Sequence, residues 1–175
     1  AAYLERDVTV VLCEPERAAN PKISKFIQMT PYARHGRWLL TDSEANVTRE
    51  FIEGVRGEWA GSGAGVLTAG YRFANAQNFA ATLDTLPATM TLWPGLMLAG
   101  RLDFTLGACT ALCAADVEAV GGWGAFANEL AEDNRLGKSL DSVGLRILLS
   151  RHVLTLDADP VTLREMLRHQ HRVAV

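Results

Sequence analysis

Apolar positions along the chain change rhythm several times between strand-like runs and helix-like spacing. Val8 to Cys13 (VTVVLC) is a continuous, β-branched run and predicts a buried strand. From Pro21 to Ala33, Ile23, Phe26, Ile27 and Thr30 fall on one face of a predicted helix. Arg37 to Thr41 (RWLLT) predicts a second buried strand, closed by Asp42, Ser43 and Glu44. Thr48 then has the character of an N-cap, with Phe51, Ile52 and Val55 behind it, and Gly61, Gly63 and Gly65 break that helix. Val66 to Tyr71 predicts a third strand, and Phe104 to Leu112 has mixed β character around Gly107. Asp116 to Val120 reads as a short helix closed by Gly121 and Gly122, and Leu130 to Val143 as a longer one. Arg146 to Leu156 predicts the last strand, and Pro160 is placed at the N1 position of a closing helix, VTLREMLRHQHR. Such alternation is the α/β signature.

A chain of 175 residues suits one domain, and 49% hydrophobic with 21% charged residues exclude disordered and collagen-like builds. Seventeen basic against twenty acidic side chains, net −3, make no electrostatic case for nucleic acid. Cys13, Cys109 and Cys113 are odd in number and lack CxxC spacing, which argues against a disulfide framework or a four-ligand zinc site. Residues 1–7 show no signal peptide, because Glu5, Arg6 and Asp7 stand where a basic start and an apolar stretch would be needed. The apolar stretch Phe79 to Gly100 is long enough to span a bilayer, which takes about 20 residues, yet Asp84, Pro87 and Pro94 interrupt it. A pair of short buried or interfacial helices is expected there. Ala1 leads directly towards a strand and Val175 closes a basic helix, so the chain reads as a piece of something longer.

Three polar features carry candidate chemistry, each with a plainer alternative. Asp42 and Glu44 follow a predicted strand, where α/β sheets open their ligand crevices, and they could hold a hard divalent cation. Ordinary turn chemistry explains the same residues. Glu132 and Asp133 could supply a general base, or simply complement the dipole at a helix start. Arg168 to Arg172 (RHQHR) could clamp a diphosphate, or be a solvated basic helix end.

The order of these features with several short segments adds a family likeness. Asn20-Pro21-Lys22, LLTDSE at 39–44, YR at 71–72, LGACTAL at 106–112, VGGW at 120–123, LAEDNRLG at 130–137 and RHQHR at 168–172 cover nearly the whole chain. Together they resemble the ceramide glucosyltransferase family of GT-A glycosyltransferases, most closely its bacterial hopanoid-associated branch. The resemblance implies an α/β, GT-A-like sheet with flanking helices that lacks the family's first nucleotide-binding strand-helix unit. It further implies the central catalytic portion of a longer, membrane-attached chain that faces the cytoplasm.

What the resemblance implies chemically is an inverting transfer of glucose or N-acetylglucosamine from a UDP-sugar to a lipid hydroxyl, ceramide-like or hopanoid. Asp42 and Glu44 would take the role of binding Mg²⁺ or Mn²⁺. Asp133, with Glu132 beside it, would match the general base. Arg172, His169 and Gln170 would match the motif that stabilises the departing diphosphate, and Lys22 would approach the nucleotide. Trp93 and Met97, with Gly107 and Cys109, would fall in the acceptor region. Glu44 stands where the family usually has Asp, His169 where it has Gln or Arg, and Val173 where it has Trp. Those departures leave a second reading, a degenerate GT-A domain that binds a partner without turnover. A Rossmann-like cofactor binder is disfavoured, since no GxGxxG follows the first predicted strand.

Overall fold

The computed structural model describes residues 8–14, 18–88, 90, 93–98 and 101–174. In chain order its elements are α1 (Pro21–Met29), β1 (Arg37–Thr41), β2 (Ala45–Asn46), α2 (Arg49–Ser62), β3 (Val66–Ala74), α3 (Phe79–Pro87) and α4 (Trp93–Leu98). There follow β4 (Cys109–Cys113), α5 (Ala114–Ala119), α6 (Glu132–Ser142), β5 (Ile147–Asp157) and α7 (Leu163–Ala174). The five strands form one mixed sheet in the order β1-β4-β3-β5-β2, with β3 antiparallel to β4 and parallel to β5. The α/β class and the helices flanking a sheet are as expected.

The central strand shows why the sheet needs helices on both faces. All five residues from Val66 to Gly70 are buried, so neither face of β3 meets water. Their side chains alternate with the two-residue period of a strand. Val66 joins a core with Ile23 of α1 and Leu136 and Leu140 of α6. Leu67 and Ala69 join Phe51 and Val55 of α2 on the other side. Fully burying a leucine such as Leu140 contributes roughly 1.5–3 kcal/mol.

Local chemistry sets the helix ends. The side-chain oxygens of Asn20, Thr48 and Asn78 accept first-turn amide hydrogens of α1, α2 and α3 at 2.9, 3.2 and 2.8 Å. Each such cap is worth about 1 kcal/mol. At α7 a reciprocal capping box forms: Thr162 N donates to Glu165 Oε2 at 2.8 Å, and Glu165 N to Thr162 Oγ1 at 3.3 Å.

Some expectations need correction. Val8 to Cys13 is not a buried strand: among the described residues it pairs with no strand, and Val8, Val10 and Leu12 are 54%, 75% and 92% exposed. A β-branched run supplies propensity, but a strand requires a partner ladder. The helix from Pro21 ends at Met29 and tightens into a 3-10 turn at Thr30–Tyr32, because Pro31 cannot donate to a continuing α-helix. Gly61 lies inside α2, which ends instead on Gly63 in the left-handed conformation at φ 63°. Pro160 lies ahead of α7, which starts behind the Thr162 cap. Of the stretch 104–112 only the part from Cys109 is strand. The expectation about residues 1–7 lies outside the described residues.

Candidate active site

Four segments distant in sequence meet at one end of the sheet: the start of α1, the turn after β1, the loop before β4 and the start of α6. Asn20 organises the first. Its Oδ1 caps α1, while its Nδ2 donates to Glu132 Oε2 at 3.0 Å and to the Glu129 carbonyl at 2.8 Å. Pro21 at the first helical position fixes the entry, so Lys22 is aimed from the first turn towards α6.

Lys22 occupies the middle of the cluster. Its Nζ is 2.9 Å from Asp42 Oδ1 and 3.4 Å from Glu132 Oε1, and it donates to the Gly107 carbonyl at 2.9 Å. Burial by itself would lower the pKa of this ammonium, but the attraction of Asp42 and Glu132 outweighs it and the group is raised.

Asp133 is held from two sides. Its Oδ2 accepts the Gly107 amide at 2.9 Å and its Oδ1 accepts the Asn134 amide at 2.8 Å. Its backbone carbonyl accepts the Thr105 hydroxyl at 2.9 Å. Burial raises its pKa, Glu132 adds to the rise, and the two amides with Lys22 only partly offset it. A carboxylate made more basic in this way is better suited to take a proton near neutral pH.

The Gly107 loop is fixed by buried threonines. Thr68 Oγ1 accepts the Leu106 amide at 2.8 Å and donates to the Cys109 carbonyl at 3.0 Å. Thr110 Oγ1 donates to the Leu106 carbonyl at 3.0 Å. A Cβ on Gly107 would lie 3.0 Å from Asp133 Oδ2 and 3.3 Å from Lys22 Nζ, so glycine is what lets the loop reach both. The cavity that Lys22, Gly107, Glu132 and Asp133 line has a volume of about 20 Å³, room for roughly one water molecule.

Other expected residues lie elsewhere. Glu44 is exposed, and its backbone carbonyl accepts the Asp157 amide at 3.2 Å. His169 Nδ1 is 2.9 Å from Asp84, and Gln170 Nε2 donates to Asp84 Oδ1 at 2.7 Å, so both tie α7 to α3. The side chains of Arg172 and Met97 lie outside the described residues. Trp93 covers Gly70 and donates its indole N–H to the Tyr71 carbonyl at 3.0 Å. Cys109 is 1% exposed in the core facing α2, and burial pushes its thiol up to about 12.

Two residues that the sequence offered only as parts of the family likeness gain a place beside the site. Asn20 is one, through its cap of α1 and its bonds to α6. Tyr71 is the other: its phenol is raised by burial and then by the charges of Asp133 and Asp42. The Asn-Pro-Lys and YR matches mark both positions without saying what either side chain meets.

Among the described residues no three His, Cys, Asp or Glu side chains stand close enough together to hold a metal ion. Asp42, partly exposed past the end of β1, still fits a hard cation whose other positions are filled by phosphate oxygens and water. A larger hollow of about 410 Å³ runs along β1 between Phe26, Trp38 and Trp123; His35, Arg34 and Arg37 are among its lining residues, and none of the described ones is a carboxylate.

Comparison with known proteins places the chain. The sequence profile described as glycosyl transferase family 21 matches residues 1–175. No curated protein matches significantly. Among solved structures, a mycobacterial protein shares 18% identity at a TM-score of 0.47, with 94% of this chain and 51% of that one covered. Glucosyl-3-phosphoglycerate synthase from Mycobacterium tuberculosis, solved with phosphoglyceric acid and also with Mn²⁺ and UDP-glucose, shares 16% identity at a TM-score of 0.44. There the cover is 94% of this chain and 54% of the synthase. The chain thus spans about half the length of the structures it matches.

Proposed function

The chain belongs to glycosyl transferase family 21, and from that membership and its acid crevice we propose an inverting transfer of a hexose from a UDP-sugar to a lipid hydroxyl. The observation that carries the reading is the meeting of Lys22, Asp42, Glu132 and Asp133 around Gly107. A neutral hydroxyl is a poor nucleophile, and Asp133 is the basic, fixed carboxylate able to take its proton. As the acceptor oxygen bonds to the anomeric carbon, the bond from that carbon to the diphosphate oxygen breaks on the opposite face. The proton goes to Asp133 and the electron pair leaves with the nucleoside diphosphate. Mg²⁺ or Mn²⁺, held through Asp42, would neutralise charge on that leaving group. Positive side chains, Lys22 and the α7 guanidinium of Arg172, act in the same sense, and more strongly in the transition state than before it.

A lipid acceptor, ceramide-like or hopanoid, is supported by an apolar surface of unusual placement. Phe79 and Leu98 on α3 and α4 are 73% and 86% exposed, and on α7 Leu163 and Leu167 face solvent beside Arg164 and Arg168. His169 and Gln170, half-buried, bond to Asp84 of α3 instead. A helix with its leucines outward beside arginines suits the interface of an anionic bilayer. No described helix is long and apolar enough to cross a membrane. Membrane-associated catalysis, by a domain that is the central portion of a longer enzyme, is part of this proposal.

The test is nucleoside diphosphate release by the intact protein in detergent, with UDP-glucose or UDP-N-acetylglucosamine, a lipid acceptor extract and Mn²⁺. Acceptor-dependent release that disappears in Asp133→Asn is expected. Folded protein that releases nothing from either donor would overturn the reading and favour a binding module without turnover.

A further inference from the structure

Lys22 is an unusual occupant of its position. It stands in the first turn of α1, where the helix dipole disfavours a cation, and no acidic residue shares that turn. The compensation comes from outside the helix, through Asp42, Glu132 and the Gly107 carbonyl. With Asp133 also near, three carboxylates surround one ammonium, and the positive charge they demand is supplied by the chain itself.

The oxygens that Lys22 engages are hard donors of the kind a divalent cation takes. Asp42 is the clearest case: the carboxylate best placed to hold a metal is the one whose Oδ1 lies 2.9 Å from Nζ. A metal arriving alone would have to displace the ammonium from Asp42 and leave it without a counter-ion. A diphosphate arriving with the metal removes that penalty, because its oxygens can receive the displaced ammonium. The lysine stem is long and flexible, whereas its backbone is pinned by the Asn20 cap and Pro21, so the head can move while the helix stays.

We infer that Lys22 is an exchangeable counter-cation: it fills the acid cluster of the free protein and yields Asp42 to a divalent metal only when a nucleoside diphosphate arrives. The inference rests on the sugar-nucleotide reading above and adds to it the part of Lys22 in coupling metal to diphosphate. By linkage each tightens the other by the same factor.

Direct binding tests this without turnover. Mn²⁺ binding to the intact protein is followed by electron paramagnetic resonance and UDP binding by calorimetry, for wild type, Lys22→Met, Lys22→Gln and Lys22→Arg. Lys22→Gln retains a donor for the Gly107 carbonyl and guards against a loss of fold in Lys22→Met; thermal melts establish that each variant is folded. In wild type, saturating UDP should tighten Mn²⁺ at least tenfold. Both neutral variants should bind Mn²⁺ alone at least tenfold tighter than wild type, and UDP·Mn²⁺ more weakly, while Lys22→Arg restores the exclusion of free Mn²⁺. If the folded neutral variants bind Mn²⁺ alone no tighter than wild type, the exchange is refuted even though UDP·Mn²⁺ still binds. If wild type binds no UDP with Mn²⁺ present, the sugar-nucleotide reading falls and takes the exchange with it.

Discussion

Replacing Gly137 with alanine probes how α6 is held against the Gly107 loop. A Cβ at this buried position would lie 2.3 Å from Phe104 Cα, 2.5 Å from Phe104 C and 2.6 Å from Thr105 N. All three atoms are backbone, so no rotamer change relieves the clash. Restoring the nearest contact to 3.4 Å requires about 1.1 Å of separation (3.4 − 2.3) between helix and loop. That movement would stretch the 2.9 Å bonds from Thr105 Oγ1 to the Asp133 carbonyl and from Gly107 N to Asp133 Oδ2. Overpacking costs about 1–3 kcal/mol. Weakened hydrogen bonds add about 1 kcal/mol, and the better helix propensity of alanine returns about 1 kcal/mol. The expected net loss is about 2 kcal/mol, or ~4–8 °C in Tm for a chain of this size. Gly57 on α2 is the control, since it is exposed with nothing within 4 Å of its Cβ position, and alanine there should stabilise by up to about 1 kcal/mol. Calorimetric melts of both variants, together with UDP·Mn²⁺ affinity, are the assay. A Gly137→Ala protein as stable as Gly57→Ala would refute the close approach, and with it the account of how Asp133 is positioned.

Asp133→Asn should abolish sugar transfer. Because burial raises the folded pKa of Asp133, its ionisation weakens the native state as pH climbs from about 4 through that raised value. Relative to wild type the variant should therefore gain stability between pH 4 and 7 in urea titrations; a growing loss over that range would contradict the shift. Glu58, 8% exposed, accepts the Ser150 hydroxyl at 2.7 Å and the Arg151 amide at 3.1 Å. Burial opposes its ionisation, but those donors outweigh it and lower its pKa, so Glu58→Ala should cost about 1–3 kcal/mol at pH 7. That gap should narrow as pH falls from the ordinary Glu value of about 4.3 through the lowered folded value, where the wild-type carboxylate takes up its proton. The Cys109 thiol, moved from 9.0 to about 12, carries about a thousandfold less thiolate near neutral pH, and should resist a thiol reagent until the protein unfolds. Leu163→Ser with Leu167→Ser should leave the melting temperature within about 1 °C, since both side chains face solvent, yet reduce co-sedimentation with anionic vesicles several-fold. Undiminished vesicle binding would place the lipid surface elsewhere.

Local chemistry alone accounts for much of the architecture. Thr48 and the apolar spacing behind it place α2, Pro31 stops α1, and the runs RWLLT and Val66 to Tyr71 become β1 and β3. The acids of the site are legible as types, Asp42 after a strand and Glu132 and Asp133 at a helix start, because turn and cap preferences act over three or four residues. What those acids touch is not legible. Lys22 reaches Gly107 across 85 residues and Asn20 reaches Glu132 across 112, contacts that form once α1 and α6 pack on the same side of the sheet next to the loop before β4. The same limit explains Val8 to Cys13, where the β-branched composition is right but no strand among the described residues lies alongside to complete its hydrogen bonds. It also explains His169 and Gln170, whose spacing suits a clamp but whose partner is Asp84, a carboxylate brought to them by the packing of α7 on α3. Propensity and capping are properties of a few neighbouring residues; charge pairing, burial and the basicity of Asp133 are properties of what the sheet order brings within a few ångströms.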